Sequence, residues 1–194
     1  MAKDLRNIIS GRECLPAAHL IPRHRHDRAY AIVTLKGSMD QVSYGGRVST
    51  RPGQLLVQPT FDCHANQSSV SGVQILRLPW RREAGLGGLF EVADIDHIIR
   101  TAERDPLAAS EQAFDLVGNC QPLPAKRDDW EDLLAADLAR ESFSGLGSWA
   151  RHSGLARETL SRGFARRFHC TPARFRLEMR TRDAWLRLTG TNEP

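Results

Sequence analysis

The sequence predicts a mixed α+β protein of two domains, strands first and an all-α module last. Three observations carry this. Short β-rich runs ended by Gly or Pro fill residues 15–80. Helical periodicity takes over after Trp80. Between 145 and 190 ten arginines face only Glu158, Glu178 and Asp183, although the 194-residue chain as a whole is only +4. A basic C-terminal segment on a slightly acidic body points to a polyanion-binding module beside something else.

Each element has its own justification. "YAIVTLKG" (30–37), "GQLLVQP" (53–59) and "VQILRLPW" (73–80) read as strands, and "SYGGRVSTRPG" has the Gly and Ser density of the turns that join them. Short strands at this spacing predict a sandwich or barrel. "FEVADIDHIIRTAERDP" then sets Val92, Ile95, Ile98 and Ile99 at helical spacing, and "LAASEQAFDLVGN" follows Pro106 as a second helix. The polar, proline-containing "CQPLPAKRDD" reads as a linker. "DDWEDLLAADLARE" places Trp130, Leu133, Leu134 and Leu138 on one helix face, with acids in its first turn.

The sharpest signal follows. "SWARHSG" reads as a short helix capped by Ser148 and stopped at Gly154. "LARETLSRGFARRF" starts another, with Leu155, Leu160, Phe164 and Phe168 apolar and Arg157, Glu158, Ser161, Arg162 and Arg166 opposite. Two helices joined by a short Gly-containing turn, the second basic on its free face, fit a helix-turn-helix. The expected division is 1–84 for the strand-rich domain, 85–120 for dimerisation and linker helices, and 121–194 for the helix-turn-helix domain.

Composition narrows the function classes. Hydrophobic content of 41% and charged content of 26% are ordinary for a globular protein. "MAKDLRNIIS" has no apolar run long enough for a signal peptide or a span, so the expectation is a cytoplasmic protein with no membrane partner. Cys14, Cys63, Cys120 and Cys170 form no C-x-x-C pair and read as free thiols, two or more of them buried. There is no G-x-S-x-G or H-E-x-x-H, and "GLGG" at 85–88 reads as a loop. In "PRHRHDRAY" (22–30), His24 and His26 two apart on a strand point to one side and could grip one metal ion. The interleaved arginines admit a nucleic-acid surface instead.

The segment "WARHSGLARETLSRGFARRFHCTPARFRLEMRTRDAWLRL" resembles the helix-turn-helix of AraC/XylS-type transcription regulators. It shares an Ala on the first helix, a Gly-Leu turn, Leu-Ser-Arg-x-Phe on the second helix, a basic pair and Thr-Pro. The resemblance implies that Glu158, Ser161 and Arg162 reach base edges, while Arg157, Thr159, Arg166 and Arg167 lie near phosphates. The second helix, about 156–168, would read the major groove of double-stranded DNA. "PARFRLEMRTRDAWLRL" looks like the connector that leads to a second such motif, and the chain stops at "TGTNEP" where that motif is expected. This predicts weak, salt-sensitive binding unless a homodimer supplies two half-sites.

The strand-rich part resembles the cupin barrel (double-stranded β-helix) that serves these regulators as a sensor. His24, His26 and Gly37 trace its first motif, and Gly53, Pro59 and His64 its second. The resemblance implies a pocket for a small-molecule effector lined by His24, His26, Tyr30 and His64. It also implies that His24, His26 and His64 are the ligands of a divalent metal (Zn, Fe, Ni or Mn). Tyr30 stands where metal-binding members carry a glutamate, and Phe61 replaces a glycine. The expectation is therefore a regulator and no enzyme, the small molecule favoured over the metal. Two alternatives stand beside it: a metal-dependent cupin enzyme using His24, His26 and His64, and a dimerising regulator without strong DNA binding.

Overall fold

A computed structural model describes residues 10–80, 87–140 and 143–190. "MAKDLRNII", the first two residues of "GLGG" and the final "TNEP" lie outside the described residues. Seven strands form one antiparallel sheet: β1 (Gly11–Leu15), β2 (Leu20–His24), β3 (Tyr30–Ser43), β4 (Gly46–Thr50), β5 (Gln54–Gln58), β6 (His64–Pro79) and β7 (Gly88–Glu91). The ladder runs β1-β6-β3-β5-β7, with β2 also on β6 and β4 also on β3. Among the described residues β1 and β7 stand at the two ends of this ladder. β7 lies beyond Trp80, past the point where the periodicity turns helical.

The two long strands organise the sheet. β3 and β6 pair from Tyr30↔Pro79 to Val42↔Ala65, with register shifts between Thr34 and Lys36 and between Gly37 and Met39. Each changes partner at that bend. The first part of β3 pairs β5 and the last part β4, while the first part of β6 pairs β2 and the last part β1. Gly37 makes the bend: its φ is +74°, and a Cβ there would sit 2.1 Å from the Gly72 carbonyl oxygen.

Alternation then separates two cores. Tyr30, Ile32, Met39, Leu56, Val73 and Ile75 pack on one face. Ala31, Val33, Leu55, Val57, Leu76 and Leu78 pack on the other, against α1 (Ile95–Ala102) and α2 (Pro106–Gly118). Pro106 at the first turn and the Asp105 carboxylate, accepting from Leu107 and Ala108 N–H at 3.0 Å each, start α2. Ile98, Ala109, Ala113 and Val117 are spent on this sheet face.

The remaining helices are α3 (Trp130–Leu138), α4 (Leu146–His152), α5 (Arg157–Phe168) and α6 (Pro172–Gly190). Their core is Leu134, Leu138, Ala150, Leu160, Phe164, Phe168 and Phe175, and it includes Val42 and Ala65 of the sheet. Phe164 stacks on Phe168 at 4.6 Å, with Phe175 edge-on to both. At Gly163 a Cβ would meet the Trp130 ring at 2.5 Å, so only glycine lets α5 approach α3 this closely. Two expectations change. Leu133 leaves the apolar stripe and is 48% exposed, while Leu134 and Leu138 carry the buried face of α3. Ser148 is no cap: α4 begins at Leu146, with Gly145 before it at φ +106°.

Candidate functional site

Three elements bring the histidines together. β2 ends on His24, His26 follows in the loop, and β6 begins with His64 directly across the ladder from His24. The bend in β2 between Ile21 and His24 re-aims the strand end, and the ligand atoms of all three rings fall within 4.8 Å of one another. His24 Nε2 and His26 Nε2 are 3.0 Å apart. His24 and His64 rings lie 4.4 Å apart edge to face, and the Tyr30 ring lies 4.8 Å from that of His26.

The outer nitrogens fix the tautomers. His24 Nδ1 donates to the Pro22 carbonyl at 2.7 Å and His64 Nδ1 donates to the Asp62 carbonyl at 3.0 Å. Both Nε2 lone pairs therefore face the middle of the group, the orientation in which backbone carbonyls hold metal-ligating imidazoles. The Tyr30 hydroxyl donates to His64 Nε2 at 3.0 Å. His26 Nδ1 is buried with no partner. Burial is the main reason that all three rings are held neutral: it pushes His26 down to about 4, and it lowers His24 and His64 as well. Neutral imidazole is the ligand form, so His24, His26 and His64 fit a divalent metal, with Tyr30 beside it.

This geometry corrects one expectation. The sequence argued against any catalytic role, yet three imidazoles with their ligand atoms within 4.8 Å of one another are a donor set that catalytic metals use. An enzyme is compatible with the site.

Arg23 of "PRHRHDRAY" has a role that the sequence reading did not assign. Alternation turns Arg23 away from the histidines. Its side chain is 5% exposed and lies between the Tyr44 and Phe175 rings, 5.4 Å from each. It donates to Glu178 of α6 at 2.8 Å, and Arg174 donates to the same carboxylate at 2.8 Å. Phe61 packs on Trp185 at 4.3 Å, and Arg182 donates to the Thr60 carbonyl at 3.2 Å. α6 is thus strapped across the end of the sheet that carries the histidines. Arg23, Glu178 and Arg174 escaped the sequence reading, and the only signal for Arg23 was its out-of-phase position in the alternation.

Among the α5 residues, Arg157, Glu158, Thr159, Arg162 and Arg166 are exposed, while Ser161 and Arg167 are half-buried. Arg167 is tied to Asp129 at 2.6 Å, and Asp129 also binds Arg47 of β4. Arg47 reaches Asp132 as well, at 2.7 Å. Arg166 and Arg167 line a cleft of about 290 Å³ shared with Asp40 and Glu131. Cys63 and Cys170 are buried, and Cys63 lies outside the three-histidine group. No helix among the described residues is long and apolar enough to cross a membrane.

No family model and no curated protein matches the sequence. Similar solved structures include salicylate 1,2-dioxygenase from Pseudaminobacter salicylatoxidans, at 21% identity over 35% of this chain and TM-score 0.33. The chain spans about a fifth of that enzyme's length. The Schizosaccharomyces pombe Cnp3 cupin domain matches 40% of this chain and 58% of its own at 11% identity, TM-score 0.34. Unsaturated fatty acid-bound ToxT from Vibrio cholerae matches 96% of this chain and 82% of its own at 10% identity, TM-score 0.42. The superpositions are loose, and function is taken below from the side chains and the sequence motif.

Proposed function

We propose that the chain is a DNA-binding transcription regulator of the AraC/XylS kind. In this reading α5 enters the major groove, and the three-histidine end of the sheet takes a small-molecule effector, a divalent metal or both. One observation carries it: α5 buries Leu160, Gly163, Phe164 and Phe168 and leaves Arg157, Glu158, Thr159 and Arg162 free on the opposite side. A basic helix face with no packing role is what groove reading requires. Arg162 reads a base edge, Glu158 accepts from cytosine, and Arg157 and Thr159 position the helix on phosphates. Arg166 and Arg167, drawn toward Asp40, Glu131 and Asp129, contribute when that cleft opens. A homodimer supplies the second half-site.

α6 supplies the linkage. Arg23 adjoins His24 in sequence and holds Glu178 of α6, which follows α5 after a three-residue connection. Occupancy at the histidines therefore biases the pose of α6, and with it α5. The test is selection of duplexes from a random pool, followed by shift assays across salt. Wild-type protein should bind with a steep loss on raising salt. Arg162→Ala should weaken binding by about 1–3 kcal/mol and relax preference at one position. Failure to retain any duplex at low salt sinks this reading.

A second reading has its own observation, the inward Nε2 set of His24, His26 and His64. A metal held there would supply Lewis-acid or redox chemistry, with Tyr30 hydrogen-bonded to a ligand and His24 at the accessible side.

A further inference from the structure

α6 carries a second charged face. Residues two apart on a helix point to nearly opposite sides, so Arg176 faces away from Arg174 and Glu178. Arg180, Asp183 and Arg187 continue the face of Arg176 at helical spacing. With Arg140, just past the end of α3, they rim a groove of about 360 Å³ between the two helices. Arg140 pairs with Asp137 at 3.0 Å, and Arg176 lies over the Phe143 ring at 5.0 Å. Among the described residues Arg176, Arg180 and Arg187 make no ion pair, and Arg180 and Arg187 are exposed. Four guanidiniums thus stand against the single carboxylate of Asp183. The floor between them is apolar, formed by Met179 with the exposed Ala139 and Ala184. From Arg176 to Arg187 the stripe runs about 16 Å along the helix axis, at 1.5 Å per residue.

We infer that this groove docks an acidic amphipathic helix of a partner protein. An apolar floor inside a charged rim is the anatomy of a protein interface. A helix laid in a groove presents its side chains at the same spacing as the stripe. Its carboxylates meet Arg176, Arg180 and Arg187, and an apolar side chain between them covers Met179 and Ala184. A second copy of this chain would set one arginine stripe against another. Duplex DNA answers the arginines but leaves the floor uncovered and brings phosphates against Asp183. A lone small anion meets only one part of so long a stripe. The surface uses neither the histidines nor the free face of α5, so it stands apart from the readings made of them.

The test is fluorescence anisotropy of labelled peptides titrated with the full chain, each peptide about 18 residues long so that it can hold a helix. One has Glu at i, i+4, i+7 and i+11 with Leu between, the second has Lys for every Glu, and the third is poly-glutamate of equal charge without Leu. The acidic amphipathic peptide should bind, the lysine peptide should not, and poly-glutamate should bind more weakly. Arg180→Ala/Arg187→Ala should weaken the acidic peptide by about tenfold or more, since two charge-assisted hydrogen bonds are lost. Both side chains are exposed, so the melting temperature should stay near wild type. Ala184→Glu should also weaken this peptide, and Arg162→Ala should leave its binding unchanged. Lysine peptide or poly-glutamate matching the acidic amphipathic peptide, or unchanged affinity in the double arginine variant, overturns the inference. So does a fall of about two in the salt slope of duplex binding by that variant, which marks the stripe as a DNA-backbone surface. Peptide binding without any duplex binding counts against the DNA reading alone. Duplex binding without peptide binding overturns the docking groove alone.

Discussion

Phe164→Ala should destabilise the helical part of the molecule by about 3–5 kcal/mol, the cost of emptying a large aromatic site in a packed core. Phe164 has no exposed surface and lies between the stacked Phe168 ring and the edge of Phe175. Its neighbours cannot collapse into the gap cheaply. Trp130 already fills the space over Gly163, and α3 is pinned to β4 by the Arg47 ion pairs to Asp129 and Asp132. A loss of this size is a large share of the roughly 5–15 kcal/mol that holds a typical domain together. Urea unfolding followed by circular dichroism reads it. Leu133→Ala, at a 48% exposed position on α3, should change stability by about 0.5 kcal/mol or less. Similar losses for the two variants would contradict the packing described for α5.

His64→Ala should remove stable metal binding. Wild-type protein loaded with Zn²⁺ and desalted should retain about one equivalent. The variant should bind at least about a hundredfold more weakly, since even losing a partner behind a ligand costs about 10–100-fold. His64 is fully buried, so the melting temperature must be read beside the metal content, and His24→Ala, at the more accessible ring, is the second variant. Unchanged metal content in both contradicts the three-histidine site. The pH dependence follows from the depressed histidines. Because burial pushes His26 to about 4 and lowers His24 and His64, protons do not compete until the solution is well below the ordinary value near 6.5. Metal retention should be flat from about pH 8 to pH 6 and fall as the pH approaches 4. Folding stability moves the same way. Unfolded histidine takes its proton near 6.5 and folded His26 only near 4, so stability present above 6.5 is lost as pH falls through that window.

Local chemistry made much of this legible in the sequence. The strands at 30–37, 53–59 and 73–80 were readable because turn residues bounded them, and α5 because Leu160, Phe164 and Phe168 recur along one face. His24 and His26 were readable by spacing and His64 through the cupin resemblance, and the Tyr30 hydroxyl lies 3.0 Å from His64. What stayed hidden depends on long-range partners. β7 is too short for a pattern, and its identity as a strand comes from pairing with β5. The length of β3 and β6 comes from the bend at Gly37, which lets one strand serve two neighbours. The role of Arg23 stayed hidden because nothing nearby in sequence announces Glu178, Tyr44 and Phe175. The same distance in sequence hid Arg174. The expectation of no catalytic role failed for a similar reason. It weighed a missing glutamate and an attached helical motif, while the inward set of three imidazoles is a property of the fold.

The proposed coupling of DNA binding by α5 to occupancy at the histidines, through α6, is open to one measurement. Fluorescence anisotropy with a selected, labelled duplex gives the affinity of metal-loaded and chelator-stripped protein in the same buffer, repeated across salt. The two forms should differ by at least about fivefold, the lower end of ordinary coupling between sites, and both should weaken steeply as salt rises. Equal affinity in the two forms, or no binding to any duplex at low salt, would contradict it.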